Sequence, residues 1–82
     1  MELVKFEQVD TVARKLMAEK EDGTLLLTEV RRGIQLEYKV YAPLTELCRL
    51  MNEVIRDTEW SCDAYRATHK TPEYNFIYKV QN

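Results

Sequence analysis

The predicted fold depends on residues 24–41, TLLLTEVRRGIQLEYKVY. In the second half of this stretch, polar residues alternate with the hydrophobic residues Ile34, Leu36, Tyr38 and Val40. A period of two is typical of an antiparallel strand with one buried face. Residues 25–30 can form the partner strand, because only Arg31, Arg32 and Gly33 separate the two segments and a three-residue loop favours glycine at its last position. The stretch therefore predicts a β-hairpin.

An amphipathic helix is predicted on each side of this hairpin. Hydrophobic residues from Val9 to Met17 recur with helical spacing, and Gly23 is expected to stop that helix in a left-handed conformation. A second helix is predicted to start at Pro43, since proline is tolerated in the first turn. Its hydrophobic face comprises Leu44, Leu47, Cys48, Met51, Val54 and Ile55. Residues 2–7 fit either a strand or an extension of the first helix.

A second hairpin is predicted from two alternating segments, 60–65 and 74–80, joined by the polar residues 68–72. A shift that places Val9 on Leu44 also aligns the two helices, so the order helix, strand, strand reflects either an internal duplication or a chance alignment. In both cases we expect one α+β domain, residues 1–82, with two helices on one face of a four-stranded antiparallel sheet. The predicted order is αββαββ, with an extra N-terminal strand as an option.

The hairpin register decides which side chains point away from the helices. The loop pairs Val30 with Ile34, which turns Leu26 inward. The predicted core comprises Leu16, Leu36, Tyr38, Leu47, Met51, Val54, Trp60 and Phe76. The outer sheet face is predicted to carry Leu25, Leu27, Glu37, Lys39, Tyr41, Tyr65 and Ile77. Large apolar groups among charges suggest a protein-docking surface, while isolated exposed apolar residues, partly covered by residues 2–7, are the structural alternative.

Length and composition exclude several classes of protein. The chain has 82 residues, of which 45% are hydrophobic and 32% are charged. This length leaves little room for a deep cofactor pocket. The longest aliphatic run, residues 25–27, is far too short for a membrane span, and residues 1–6 lack the pattern of a signal peptide. Two cysteines without CxxC spacing fit reduced thiols in a cytoplasmic protein.

Few residues could carry catalysis or hold a metal ion. His69 is predicted in a polar loop, and Ser61 on an open sheet face. Cys48 belongs to a hydrophobic helix face, where burial makes a thiol unreactive. Cys62 and Asp63 point to opposite faces of a strand, so they do not form the close ligand pair typical of zinc sites. We therefore expect no catalytic residue, no metal site and no cofactor.

These observations favour a small non-catalytic module that binds another protein, as an inhibitor or an adaptor of the size that phages and mobile elements often encode. A small nucleic-acid-binding regulator, with Arg31 and Arg32 at the hairpin tip, is the second hypothesis. Lys and Arg total 12 against 14 Asp and Glu, so the chain has no basic excess for contacts with phosphates. We expect a protein partner and no membrane association, and a homodimer is compatible with the sequence.

Overall fold

The computed structural model describes residues 2–66 and 74–80. In chain order the elements are α1 (Phe6–Glu19), β1 (Thr24–Leu26), α2 (Leu27–Tyr38), α3 (Leu44–Arg56), β2 (Trp60–Arg66) and β3 (Tyr74–Val80). The strands form an antiparallel sheet in the order β1-β3-β2, with β3 in the centre. The predicted α+β class is confirmed. The predicted four-stranded sheet and the order αββαββ are wrong, since three helices and three strands are present in this part of the chain.

Most of the predicted first hairpin forms α2 instead. Leu27, Val30 and Ile34 are spaced three and four residues apart, which places them on one helical face, and all three are buried. Glu29 supports the start of this helix, because its Oε1 accepts a hydrogen bond from the backbone N–H of Leu26 at 3.0 Å. Val30 and Ile34 are therefore neighbours one turn apart rather than partners on two strands.

Gly33 lies inside α2, at the point where α1 crosses it, and not in a hairpin loop. A Cβ at this position would lie 2.9 Å from Cγ1 of Val12 and 3.2 Å from Cδ1 of Leu16. The close helix crossing requires the small size of glycine at this position, and not its conformational freedom. Gly23 does adopt the predicted left-handed conformation, with φ 66°. It precedes β1, however, and α1 has already ended at Glu19.

Both predicted helices are confirmed. In α1 the buried residues are Val9, Val12, Ala13 and Met17. The second predicted helix is α3, which begins directly after Pro43 and buries Leu47, Leu50, Met51 and Val54. On its outer side Arg49 pairs with Glu46 one turn away.

The helices cover one face of the sheet. On that face Tyr78 of β3 lies between Leu25 of β1 and Cys62 of β2, and Tyr78 and Leu25 are fully buried. From the predicted core, Leu47, Met51 and Val54 are buried. The partly buried residues Leu16, Tyr38, Trp60 and Phe76 pack against the buried core. Leu36 is 71% exposed, so its predicted burial is wrong. Residues two apart share one side of a strand but are about 200° apart around a helix, which turns Leu36 away from Ile34.

The second hairpin is present as β2 and β3, with Trp60 opposite Val80. The predicted loop at 68–72 lies outside the described residues. At the N-terminal end, both alternatives for residues 2–7 hold in part: Leu3 forms a parallel bridge with Tyr41, and α1 begins at Phe6. An internal duplication is not supported, because α1 is followed by a strand and a helix whereas α3 is followed by two strands. None of the helices described combines the length and apolar character needed to cross a bilayer.

Candidate functional site

Two residues of the predicted docking face belong to the core. Leu25 and Leu27 are 0% and 1% exposed, so the prediction that they lie on an open face is wrong. Leu25 is opposite Tyr78 on the side of the sheet that the helices cover. Leu27 begins α2 and points inward with Val30. The error follows from the hairpin register, which does not apply to a segment that is helical.

The remaining predicted residues fall into two groups. Glu37, Lys39 and Tyr41 lie at the end of α2 and in the segment after it, and all three are exposed. Ile77 is half-buried in β3, where its Cα lies between those of Leu26 and Asp63. Tyr65 belongs to β2, opposite Asn75. The seven residues therefore do not share one sheet face. Lys39 and Tyr41 line the same depression, whereas Glu37 lines a different groove.

Arg31 and Arg32 do not form a hairpin tip. Both lie within α2, where consecutive residues are about 100° apart around the axis. Arg32 is exposed, whereas the Nε atom of Arg31 is buried and has no hydrogen-bond partner among the residues described. The two guanidinium groups thus start from different faces of the helix, and the arrangement that motivated a nucleic-acid-binding function is absent from this segment.

Tyr41 and Leu3 form an exposed apolar pair on a fixed backbone. The N–H of Val4 donates to the carbonyl of Tyr41 at 2.9 Å, and the N–H of Tyr41 donates to the carbonyl of Glu2 at 2.8 Å. Leu3 and Tyr41 are bridge partners and are 48% and 52% exposed. Val4 is buried, and since side chains alternate along an extended segment, Leu3 and Tyr41 both point away from the core.

Lys39 turns the chain from α2 into this segment. Its φ is 56°, a left-handed conformation that is uncommon for a residue other than glycine. Its N–H donates to the carbonyl of Gln35 at 3.1 Å and closes the last turn of the helix. With Gln35, Val40 and Tyr41, Lys39 lines an open depression of about 280 Å³. We call Leu3, Gln35, Lys39 and Tyr41 the Tyr41 surface.

The thiols lie close to the core rather than at this surface. Cys48 and Cys62 are both free and half-buried. Burial raises the pKa of the Cys62 thiol above its usual value, which disfavours the reactive thiolate. Burial likewise raises the pKa of Tyr78, whose hydroxyl has no hydrogen-bond partner of normal geometry within the described part of the chain. The raised pKa values keep Cys62 and Tyr78 protonated at neutral pH.

A metal centre finds no support in the described residues, which contain no group of three His, Cys, Asp or Glu side chains placed to hold an ion. His69 lies outside those residues. The absence of a cofactor and of catalytic residues stays a prediction from the sequence.

Sequence reasoning missed two exposed apolar residues, Leu3 and Leu36. Leu3 lies in the segment for which strand and helix were both open. Its exposure depends on a bridge to Tyr41, nearly forty residues away in the chain. Leu36 has the hydrophobicity of a core residue, and only the helical form of its segment makes it exposed.

Comparison with known proteins gives no assignment: no family model, no curated protein and no solved structure matches this chain.

Proposed function

We propose that this chain is a small protein-binding module, an inhibitor or an adaptor, that docks on its partner through the Tyr41 surface. One observation carries the proposal: Leu3 and Tyr41, each about half exposed, are bridge partners on a hydrogen-bonded backbone. Tyrosine is frequent among the residues that dominate binding energy. Because the backbone here is already held by hydrogen bonds, it loses little conformational freedom when a partner binds.

The backbone of Lys39 supports the same surface. A left-handed conformation at a residue other than glycine costs about 1–2 kcal/mol, and such strain is concentrated at functional sites. Glycine would remove that strain, but it would also remove the ammonium group beside Tyr41. Lys39 forms no ion pair with the residues described here. The surface therefore suits a partner that presents an apolar side chain next to a carboxylate.

The test is affinity capture from a lysate of the organism that encodes the chain, with three baits compared. The wild-type chain should retain a partner that Leu3→Ser/Tyr41→Ser loses. Val80→Ser is the matched control, because Val80 is another exposed apolar residue, 39% exposed, at the far end of β3. Thermal unfolding followed by circular dichroism verifies that all three baits are folded.

The expected result is equal retention by the wild type and Val80→Ser, with at least a fivefold lower yield from Leu3→Ser/Tyr41→Ser, which corresponds to about 1 kcal/mol of binding energy. Equal retention by all three baits would place the docking surface elsewhere. A bait that captures nothing reproducibly would argue against a protein-binding role.

A further inference from the structure

A groove runs between α1 and α2 on a side of the molecule that the Tyr41 surface does not use. It has a volume of about 310 Å³ and is lined by Val12, Lys15, Leu16, Gly33, Leu36 and Glu37. Because Gly33 has no side chain, the floor of the groove is formed by Val12 and Leu16 of the opposite helix. Leu36 stands at the edge and is 71% exposed, the highest value among the exposed large hydrophobic residues of the described chain.

The two rims of this groove carry opposite charges. Lys15 belongs to α1 and Glu37 belongs to α2, and both are exposed. The ion pairs seen in the described residues involve other partners, including Arg14 with Asp10 on α1. Neither Lys15 nor Glu37 pairs with a charged side chain in the part of the chain that the structure describes. A cation on one rim and a carboxylate on the other form the charge arrangement of a self-complementary surface.

A twofold axis along the groove would bring the α1 rim of one copy over the α2 rim of the other. Lys15 of each copy then faces Glu37 of the other, so that two opposite-charge contacts form at once. Leu36 of each copy then lies over α1 of the other, next to Val12 and Leu16 in the floor of the groove. We propose that the chain forms a twofold symmetric homodimer through this groove, which is an inference independent of the proposed partner at the Tyr41 surface.

The size of the patch sets the expected strength of this dimer. An interface formed by two short helices from each copy buries a small area for a specific interface, below about 1,200 Å² in total. Charge contacts at a rim contribute less to affinity than buried apolar groups, but they select the correct partner and orientation. We therefore expect a reversible dimer with a dissociation constant in the micromolar range.

Charge reversal at the rims distinguishes contacts between two copies from contacts within one chain. Lys15→Glu gives a copy with acidic side chains on both rims, and Glu37→Lys gives a copy with basic side chains on both rims. Neither variant can pair favourably with itself in the proposed geometry. A mixture of the two can, because every rim contact then joins an acidic side chain to a basic one.

Sedimentation velocity of the full chain, from low micromolar to submillimolar concentration, measures the association directly. The wild type should dimerise, each single variant should associate at least tenfold more weakly, and their equimolar mixture should form a heterodimer at near wild-type concentration. Arg56→Glu and Glu53→Lys are the matched controls: both residues are exposed on α3, and the two changes alter the net charge equally. Each control alone should dimerise like the wild type.

Leu36→Ser tests the role of the groove without changing the net charge of the chain. This variant should lose dimerisation while its thermal stability at low concentration is unchanged. A wild type that stays monomeric throughout, or assembles into species other than a dimer, would overturn the proposal. The proposal would also be overturned if the mixture of Lys15→Glu and Glu37→Lys associated no better than either variant alone. Dimerisation that persists in Leu36→Ser would contradict it too.

Discussion

Replacing each of two leucines of α2 by alanine should have very different effects. Leu27 is 1% exposed and Leu36 is 71% exposed. Truncation of a fully buried leucine costs about 2–5 kcal/mol, because apolar burial is lost and a cavity remains. We expect this loss for Leu27→Ala. For Leu36→Ala we expect a change of less than about 0.5 kcal/mol, since less than a third of the residue is shielded and alanine is a slightly better helix former.

The two variants are compared by urea and thermal unfolding followed by circular dichroism, at a protein concentration low enough for the chain to be monomeric. For a domain of this size 1 kcal/mol corresponds to about 4–8 °C in Tm, so Leu27→Ala should lower the Tm by at least about 8 °C. Leu36→Ala should stay within a few degrees of the wild type. Equal losses, or a larger loss at Leu36, would refute the helical structure of residues 27–38 and restore the hairpin.

Three further predictions concern single contacts. Gly33→Ala should destabilise the fold by about 1 kcal/mol, despite the better helix propensity of alanine. This loss should be smaller in a Val12→Ala background, where the contacting methyl groups are absent. Additive losses in that double-mutant cycle would contradict the close helix crossing. Lys39→Gly should raise the free energy of unfolding by up to about 1 kcal/mol while weakening capture of the partner, and a less stable variant would contradict the left-handed backbone. Burial raises the pKa values of Tyr78 and Cys62 above their ordinary values of 10.0 and 9.0. The unfolded chain therefore releases these two protons at a lower pH than the folded chain does. The free energy of unfolding should be at its full value below about pH 9 and should fall as the pH rises above about 9. Urea unfolding at a series of alkaline pH values measures this fall, which should be smaller in Tyr78→Phe and would contradict the burial of the hydroxyl if it were unchanged.

The parts of the fold that the sequence predicts correctly are those with one consistent periodicity. The hydrophobic residues of α3 fit only a helix, and the alternation in residues 74–80 fits only a strand. Residues 27–38 contain both periods at once. Ile34, Leu36 and Tyr38 alternate like a strand, while Leu27, Val30 and Ile34 recur like a helix. The packing of α1 against Gly33 favours the helix, and this contact between distant parts of the chain leaves no local signal.

The candidate site was predictable only where its residues are neighbours in the chain. Lys39 and Tyr41 were selected from the sequence, although as part of a sheet face that does not exist. The pairing of Tyr41 with Leu3 depends on a bridge that joins the two ends of the segment 3–41. The sequence also does not predict the left-handed conformation of Lys39, because glycine and asparagine, rather than lysine, are typical of that conformation.

The central position of β3 has a consequence for biosynthesis. β1 has its hydrogen-bonding partner about 50 residues further along the chain, and β2 also pairs only with β3 among the described strands. At about 5–20 residues per second, a ribosome takes several seconds to synthesise that interval. Until β3 is synthesised, the helices can pack only on one another, because the sheet that they cover lacks its central strand. Folding of this protein therefore has to wait for β3 to leave the ribosome.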